Sequence, residues 1–448
     1  MRRHGSLRLQ SSGDRFLWRR MEYALLGRPM PAGEDPLRSH RRALAGGCML
    51  ALGIGIVVTA FPVLPGIPGD SQLVMSRQSG AMFVRLDGSL RPVSNRVSAE
   101  LILGAPVAPR LVSDAALEDI SRGPVLGIPG APDAVGEPIA PQDQSWTVCD
   151  HADGRTAITV TAADGPPDLQ PGTAVVASAA HGDRAMYLLY GGRRARIDPD
   201  NPATARALHL DGVRPRPVSP TLLALIPEAP AIRPPTITGS SADVAGVRLG
   251  GVLRTIRAGN DEFYVVVPNG IQRIGRLAAD LIRFADPAAG ADIPSVSPEV
   301  IAGTELVDAL PVAGYPDAAP ALLEQPTEVC ATWRQGQVRI AAGTAAPQAG
   351  TAVPVTTADG DGPNVDVVAV PPGRGVDVSA NTATAGRYLI SDTGVVFPVR
   401  DSAAAAAIGL QDPPAPIPWA IIAALPAGPE LSRQAALAAR DVVGTATP

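Results

Sequence analysis

Residues Ala43 to Gly69 read ALAGGCMLALGIGIVVTAFPVLPGIPG, with no Asp, Glu, Arg or His, directly after Arg41-Arg42. A helix that crosses the ~30 Å hydrocarbon core needs roughly 20 mostly apolar residues, and Ala43 to Leu64 supplies them. A cleaved signal peptide has a shorter apolar core close to the N-terminus, whereas here some forty residues come first. A lipoprotein signal places its apolar run before the cysteine, but Cys48 lies near the start of this run. The segment is therefore expected to be a permanent single-pass anchor. Its flanks orient it: residues 1–42 carry ten Arg against Asp14, Glu22, Glu34 and Asp35. Positive charge beside a span stays in the cytoplasm, which puts the N-terminus inside and the remaining chain outside.

Beyond residue 42 the chain holds 28 basic and 39 acidic residues, a net charge of about −11. Such a balance argues against nucleic acid and other anionic polymers as non-specific ligands. Every one of the 38 basic residues is Arg; there is no Lys. In the tail, Asp14 is placed as the cap of a helix over Arg15 to Leu26. Phe16, Leu17, Met21, Ala24 and Leu25 fall on one side of it, with Arg15, Arg19 and Arg20 spread around the other. A membrane-surface helix held by Arg and Trp18 and a docking helix for cytoplasmic partners are both open. The residues assigned to docking are Arg15, Phe16, Trp18, Arg19, Arg20 and Tyr23. Gly27-Arg28-Pro29 breaks the helix, and Leu37 to Arg42 leads into the span.

The outer part repeats a plan four times: Ala81–Val93, Ala185–Ile197, Glu262–Ile274 and Gly386–Val399. Each stretch is aromatic and apolar, breaks at Asp87-Gly88, Gly191-Gly192, Asn269-Gly270 or Thr393-Gly394, and then resumes apolar. That pattern predicts β-hairpins, with glycine supplying the positive φ of the turn. Short helical stretches follow, such as Ser98–Leu103, Leu277–Phe284 and Ser402–Leu410. A second helix signal comes at Val112–Leu117, Val218–Pro227, Val296–Gly303 and Ile417–Pro426, where Ser before Pro or Asp suits an N-cap. The unit reads as β-β-α-α. Between the first and second units lies SWTVCDHADGRTAITVT (145–161), and between the third and fourth TEVCATWRQGQVRIAAG (327–343). Both place a Val-Cys pair before a second strand, so the outer part reads as two related halves.

The expected fold class is α+β: one N-terminal transmembrane helix, then a domain of four hairpin/helix repeats with linker strands between them and pseudo-twofold symmetry. The boundaries drawn are a basic tail (1–42), the span (43–64), a linker (65–73), repeat 1 (74–128) and the first half of the core (129–184). Repeat 2 (185–235), repeat 3 (236–315), the second half of the core (316–385), repeat 4 (386–437) and a C-terminal tail (438–448) complete the chain.

Cys149 and Cys330 occupy equivalent places, and in an oxidising compartment they read as a disulfide across the pseudo-twofold, two buried free thiols being the alternative. Closing a loop of about 180 residues stabilises by up to about 5 kcal/mol in the chain-entropy model. Trp146 and Trp333 read as packing around that bridge.

The tail RLQSSGDRFLWRRMEYALL, the run DPLRSHRR into the span, the four hairpins and the paired WTVCD and EVCATW segments together resemble the EccB family, the B component of the type VII (ESX) secretion membrane complex. The likeness covers nearly the whole chain; Cys48 within the span and the Pro/Ala-rich C-terminus depart from it. It implies an elongated periplasmic domain with four repeats around a central β-sheet core closed by one disulfide, a homo-oligomer with dimers inside a hexameric assembly, and association with the EccC ATPase, EccD, EccE and the mycosin protease in the inner membrane.

That family is sometimes described as an ATPase. A P-loop requires Gly-rich backbone amides and a lysine, and no lysine is present. Gly246–Gly251 is followed by Val252-Leu253 where Lys and Ser/Thr belong, and Gly373-Arg374-Gly375 follows two prolines. His151, His181 and His209 lack ligand spacing; His151 with Asp150 and Asp153 reads as a solvated turn before a metal site. Asp87, Asp211, Asp261 and Asp359 sit beside turn residues, where Asp caps its own backbone. No catalytic residue, cofactor or metal is assigned, and whether the chain is an enzyme stays open. Assembly is favoured as the role of the outer part over binding of cell-wall polymer, because aromatics make up only 4% of the chain and the tip at Pro413 to Trp419 is apolar.

Overall fold

The computed structural model describes residues 4–29, 42–52, 71–118, 123–182, 185–286, 292–343, 352–380 and 386–440. They fall into two compact units, Met1–Pro68 with Ala115–Asp119, and Gly69–Asp114 with Ile120–Pro448.

In the first unit a single helix runs His4–Leu25. It starts ten residues before the expected cap, so Asp14 lies inside it. Ser11, Ser12 and Gly13 each cost a helix at most about 1 kcal/mol, too little to interrupt 22 residues. Its end is as expected: Gly27 takes φ 61° and the Arg28 N–H donates to the Tyr23 carbonyl at 3.2 Å, a glycine-terminated cap. A second helix occupies 42–52. Among the described residues no helix is long and apolar enough to cross a membrane. The expected span runs past residue 52 into residues outside those described, as do Leu37–Arg41 and most of the linker.

The second unit is built on a six-stranded sheet in the order Gln337–Gly343, Glu328–Arg334, Ser145–His151, Thr156–Thr161, Val367–Ala369 and Val353–Pro354. Its second and third strands are antiparallel, with Cys330 opposite Cys149 and Trp333 opposite Trp146. Side chains alternate faces along a strand, so a spacing of three puts each tryptophan on the face opposite its cysteine. Trp146 and Trp333 therefore pack in the main core with Val148, Ile158 and Val329, while the cysteines cluster with Ala341. The tryptophans do not surround the bridge as expected.

Four hairpins flank this sheet: Met82–Leu86 with Ser89–Val93, Met186–Tyr190 with Arg193–Ile197, Asn260–Val267 with Gly270–Ile274, and Arg387–Ile390 with Val396–Val399. Each pairs with a preceding strand: Leu73–Ser76, Thr173–Ala179, Val252–Arg257 or Arg374–Ala380. That strand in turn pairs in parallel with a short segment after the first helix, at Arg110–Val112, Arg216–Val218, Ser295 or Ala415–Ile417. The module is thus richer than β-β-α-α. Thr173–Ala179 and Arg374–Ala380, assigned above to the core halves, belong by pairing to the second and fourth hairpins. Both are buried in near-continuous runs, and TAVVASA shows no alternation that marks a strand.

The turns follow the sequence at two sites. Asp87-Gly88 (φ 49°, 77°) and Gly191-Gly192 (φ 49°, 73°) carry positive φ at both central residues, the turn matched to strand twist. The third hairpin turns one residue early, on Pro268-Asn269, because Gly270 already pairs with Val267. Gly270 adopts φ 147°, and a Cβ there would lie 2.1 Å from the Glu305 carbonyl oxygen, which accepts the Ile271 N–H at 2.8 Å. Gly270→Ala should therefore cost about 3 kcal/mol, against about 1 kcal/mol for Gly212→Ala, where φ is 76° and nothing lies within 4 Å. Urea midpoints of the two variants test this; equal losses would show that the segment around Glu305 moves freely.

Helices follow the capping signals. Ser219 accepts the Leu222 N–H with Pro220 at the first position of Pro220–Leu225, and Asp401 caps Ser402–Ala407. Pro202–Ala207, capped by Asn201, completes the second module. The first and fourth modules share one core, in which Val84, Val97 and Leu101 meet Phe397, Ala405 and Leu431. The second and third share another, through Leu188, Leu208, Leu277 and Leu281. The main core joins the central sheet to Leu189 and Leu222 of the second module and to Val376 and Ile421 of the fourth. Packing order is first, fourth, central sheet, second, third. Ala439–Arg440, assigned above to a tail, pairs antiparallel with Val125–Leu126 on the sheet of the first module.

Candidate functional site

Cys149 and Cys330 are joined by a disulfide with their Cα atoms 4.1 Å apart, as directly opposed residues of a narrow antiparallel pair. Both are buried, at 7% and 2% exposure. Positions two residues away share their face. On one side the Thr147 and Thr332 hydroxyls meet at 3.0 Å. On the other, His151 Nδ1 lies 3.2 Å from Glu328 Oε1. Gly165 crosses above the threonines, where a Cβ would come within 2.5 Å of Thr332 Oγ1.

The opposite face is fixed by Asp150. Its carboxylate accepts the Ser219 N–H at 2.6 Å and the Thr156 hydroxyl at 2.8 Å, tying the central sheet to the start of helix Pro220–Leu225. Burial pushes the Asp150 pKa up, against the opposing pull of its Ser219 and Thr156 hydrogen bonds and of Arg216. Asp366 does a similar task one strand across, accepting the N–H groups of Thr156 (2.8 Å), Asp359 (3.0 Å) and Gly360 (2.6 Å). The disulfide thus sits in a strand pair anchored on both faces.

The metal reading of His151 with Asp150 and Asp153 is not assembled. Asp150 points to the other face, Asp153 pairs with Arg155 at 2.7 Å, and His151 turns to Glu328. The sequence does carry a signal for that last pair, since His151 is two after Cys149 and Glu328 two before Cys330. His181 Nε2 bonds the Asp361 carbonyl at 2.9 Å, and His209 sits in a turn with φ 54°. Gly246 closes a tight turn, donating to Asp243 Oδ1 at 2.9 Å, at the edge of an open cleft of about 880 Å³ that Arg248, Arg283 and Asp286 also line. The Gly373 N–H is taken by Asp392 Oδ2 at 2.9 Å. Trp419 is 49% exposed with its ring 6.1 Å from that of Tyr388.

In helix His4–Leu25, Arg15, Trp18, Arg19 and Arg20 are exposed, while Phe16 and Tyr23, seven residues apart on one face, are half-buried. Trp18 shows 71% of its surface and Leu25 87%.

The family model described as "Type VII secretion system ESX-1, transport TM domain B" matches residues 3–445. The ESX-3 secretion system ATPase EccB3 of Mycolicibacterium smegmatis is 33% identical over 98% of this chain and 91% of its own. The ESX-2 secretion system ATPase EccB2 of Mycobacterium tuberculosis is also 33% identical, over 98% and 96%. Among solved structures, a chain of the intact ESX-5 inner membrane complex aligns with TM-score 0.74 and 27% identity over 98% of this chain and 97% of that one. The EccB3 dimer from the ESX-3 core complex aligns with TM-score 0.73 and 30% identity over 82% of this chain and all of the other.

Proposed function

The chain belongs to the EccB family of type VII secretion, and on that premise we propose that it is a structural and assembly subunit of an ESX membrane complex. The observation that carries this is the match over residues 3–445, joined to the likeness to chains solved inside an ESX-5 inner membrane complex and as a dimer. On this reading residues 43–64 span the inner membrane once, the tail lies in the cytoplasm, and the disulfide-closed body stands in the periplasm as four repeats with pseudo-twofold symmetry. Copies pair within a hexameric assembly beside the EccC ATPase, EccD, EccE and the mycosin protease. Gentle detergent extraction of the tagged chain should yield a large particle containing further membrane subunits. A monomer that brings nothing with it would overturn the assembly role.

Helix His4–Leu25 is the docking element for cytoplasmic partners, presenting Trp18 with Arg15, Arg19 and Arg20, and Phe16 with Tyr23 on a neighbouring face. Exposed aromatic and arginine side chains are the residue types that dominate binding energy at interfaces. Trp18→Ala with Arg19→Ala and Arg20→Ala should cut co-purification of partners at least tenfold and leave the unfolding of the body unchanged. Undiminished recovery of partners would remove the docking role.

The names of the relatives favour a second reading, ATP hydrolysis. With no lysine available, arginines of the cleft at Gly246–Gly251 are the groups to test. Phosphate release by the purified chain that is lost in Arg248→Ala would place a nucleotide there.

A further inference from the structure

We infer that reduction of the Cys149–Cys330 disulfide turns the face that carries it into a binding site for one thiophilic divalent cation of the zinc class, held by both sulfurs and the Glu328 carboxylate, which the His151 imidazole positions. The four residues form a two-by-two patch. Cys330 opposes Cys149 and Glu328 opposes His151 in the same ladder, and each pair is two residues from the other, so all four side chains leave one face. The two Sγ atoms and a Glu328 oxygen lie within 4.8 Å of one another, and His151 Nδ1 is 3.2 Å from Glu328 Oε1. Two sulfurs and one carboxylate oxygen, with water in the fourth place, make a donor set that zinc accepts in tetrahedral geometry, and His151 holds the carboxylate from outside it.

The surroundings support the same conclusion. Glu328 is 4% exposed, beside a small apolar cluster of the cysteines and Ala341. Two thiolates placed next to a buried carboxylate repel one another, and a divalent cation removes that repulsion. The strand pair holds the two Cα atoms 4.1 Å apart, so the ligands stay together once the bond is cut. The side chain of His151, 19% exposed, gives the ion a way in. Chains are made with reduced thiols and are oxidised only in an oxidising compartment, so the dithiol form precedes the disulfide. Reduction takes two electrons and two protons: an external dithiol supplies both and is left as a disulfide, whereas a phosphine supplies the electrons and becomes its oxide, with water giving the two protons and the oxygen. Binding the cation then releases the two thiol protons to water. Disulfide and metal exclude one another because both use the same sulfur valences, yet each closes the same loop.

The full chain with Cys48→Ser, in detergent, leaves only these two thiols. After reduction by a phosphine and its removal, titration with Cd²⁺ should raise the ultraviolet thiolate-to-metal band to an end point of one ion per chain. Glu328→Gln and His151→Ala should each weaken binding at least tenfold, and the oxidised chain should give no band. No end point at one ion, or unchanged affinity in both variants, would overturn the site. If reduction unfolds the chain, Zn²⁺ should restore its circular dichroism and raise its thermal midpoint; failure to do so overturns the site as well.

Discussion

Replacing Cys149 and Cys330 together by alanine should lower the stability of the body by about 3–5 kcal/mol, the range expected when a cross-link over 181 residues is lost. Most of the effect arises in the unfolded chain, whose two halves gain freedom. The native strand pair keeps its other register contacts, from Trp146 opposite Trp333 to His151 opposite Glu328. The double variant should therefore fold to the same structure and unfold at lower guanidinium concentration. Oxidised parent and double variant, compared under identical conditions, give the number. A coincident midpoint would mean that the ladder and the cores around it hold the halves without covalent help.

Asp150 should be the most sensitive polar position. Asp150→Ala leaves the buried Ser219 N–H and Thr156 hydroxyl without their acceptor, a loss of about 2–3 kcal/mol. Asp150→Asn keeps one acceptor and adds a donor that the Thr156 hydroxyl can receive, and should cost less. The pH dependence has a definite sign. Burial raises the folded-state pKa above the ordinary 3.8, so between the two values the folded chain holds a proton that the unfolded chain has released. Stability contributed by this group is full below 3.8 and is lost as pH rises through the folded-state pKa. Asp377 and Glu100 shift in the same direction, chiefly from burial and against the pull of Arg387 and Arg96. Relative to Asp150→Asn, the parent should gain stability as pH falls from neutral towards 4. A parallel pair of curves would show that Asp150 does not titrate in that range.

Much of the architecture was legible because its punctuation is glycine. Asp87-Gly88 and Gly191-Gly192 adopt conformations that other residues avoid, and Ser before Pro marks the helix at Pro220. The strands ahead of each hairpin were not legible. Thr173–Ala179 is covered on both faces, so the alternation that betrays a half-exposed strand is missing. At the site, the opposition of Cys149 and Cys330 followed from their equivalent places in two halves. The Glu328–His151 pair escaped notice because it depends on register, and a shift of one residue between the strands would have put the two on opposite faces. Asp14 shows the converse: a strong capping residue is overridden when the helix on either side is long enough.

The pairing of Ala439–Arg440 with Val125–Leu126 has a consequence for the order of events in synthesis. The first module is made early, yet one edge of its sheet is supplied by nearly the last described residues. Arg433 also donates to the Ile102 carbonyl at 3.2 Å, and the core of that module is shared with the fourth. Its folding is therefore incomplete until residue 440 has emerged, whereas the second and third modules, adjacent in the chain, can settle as soon as residue 322 or so has emerged. The module nearest the start of the chain is the last to close.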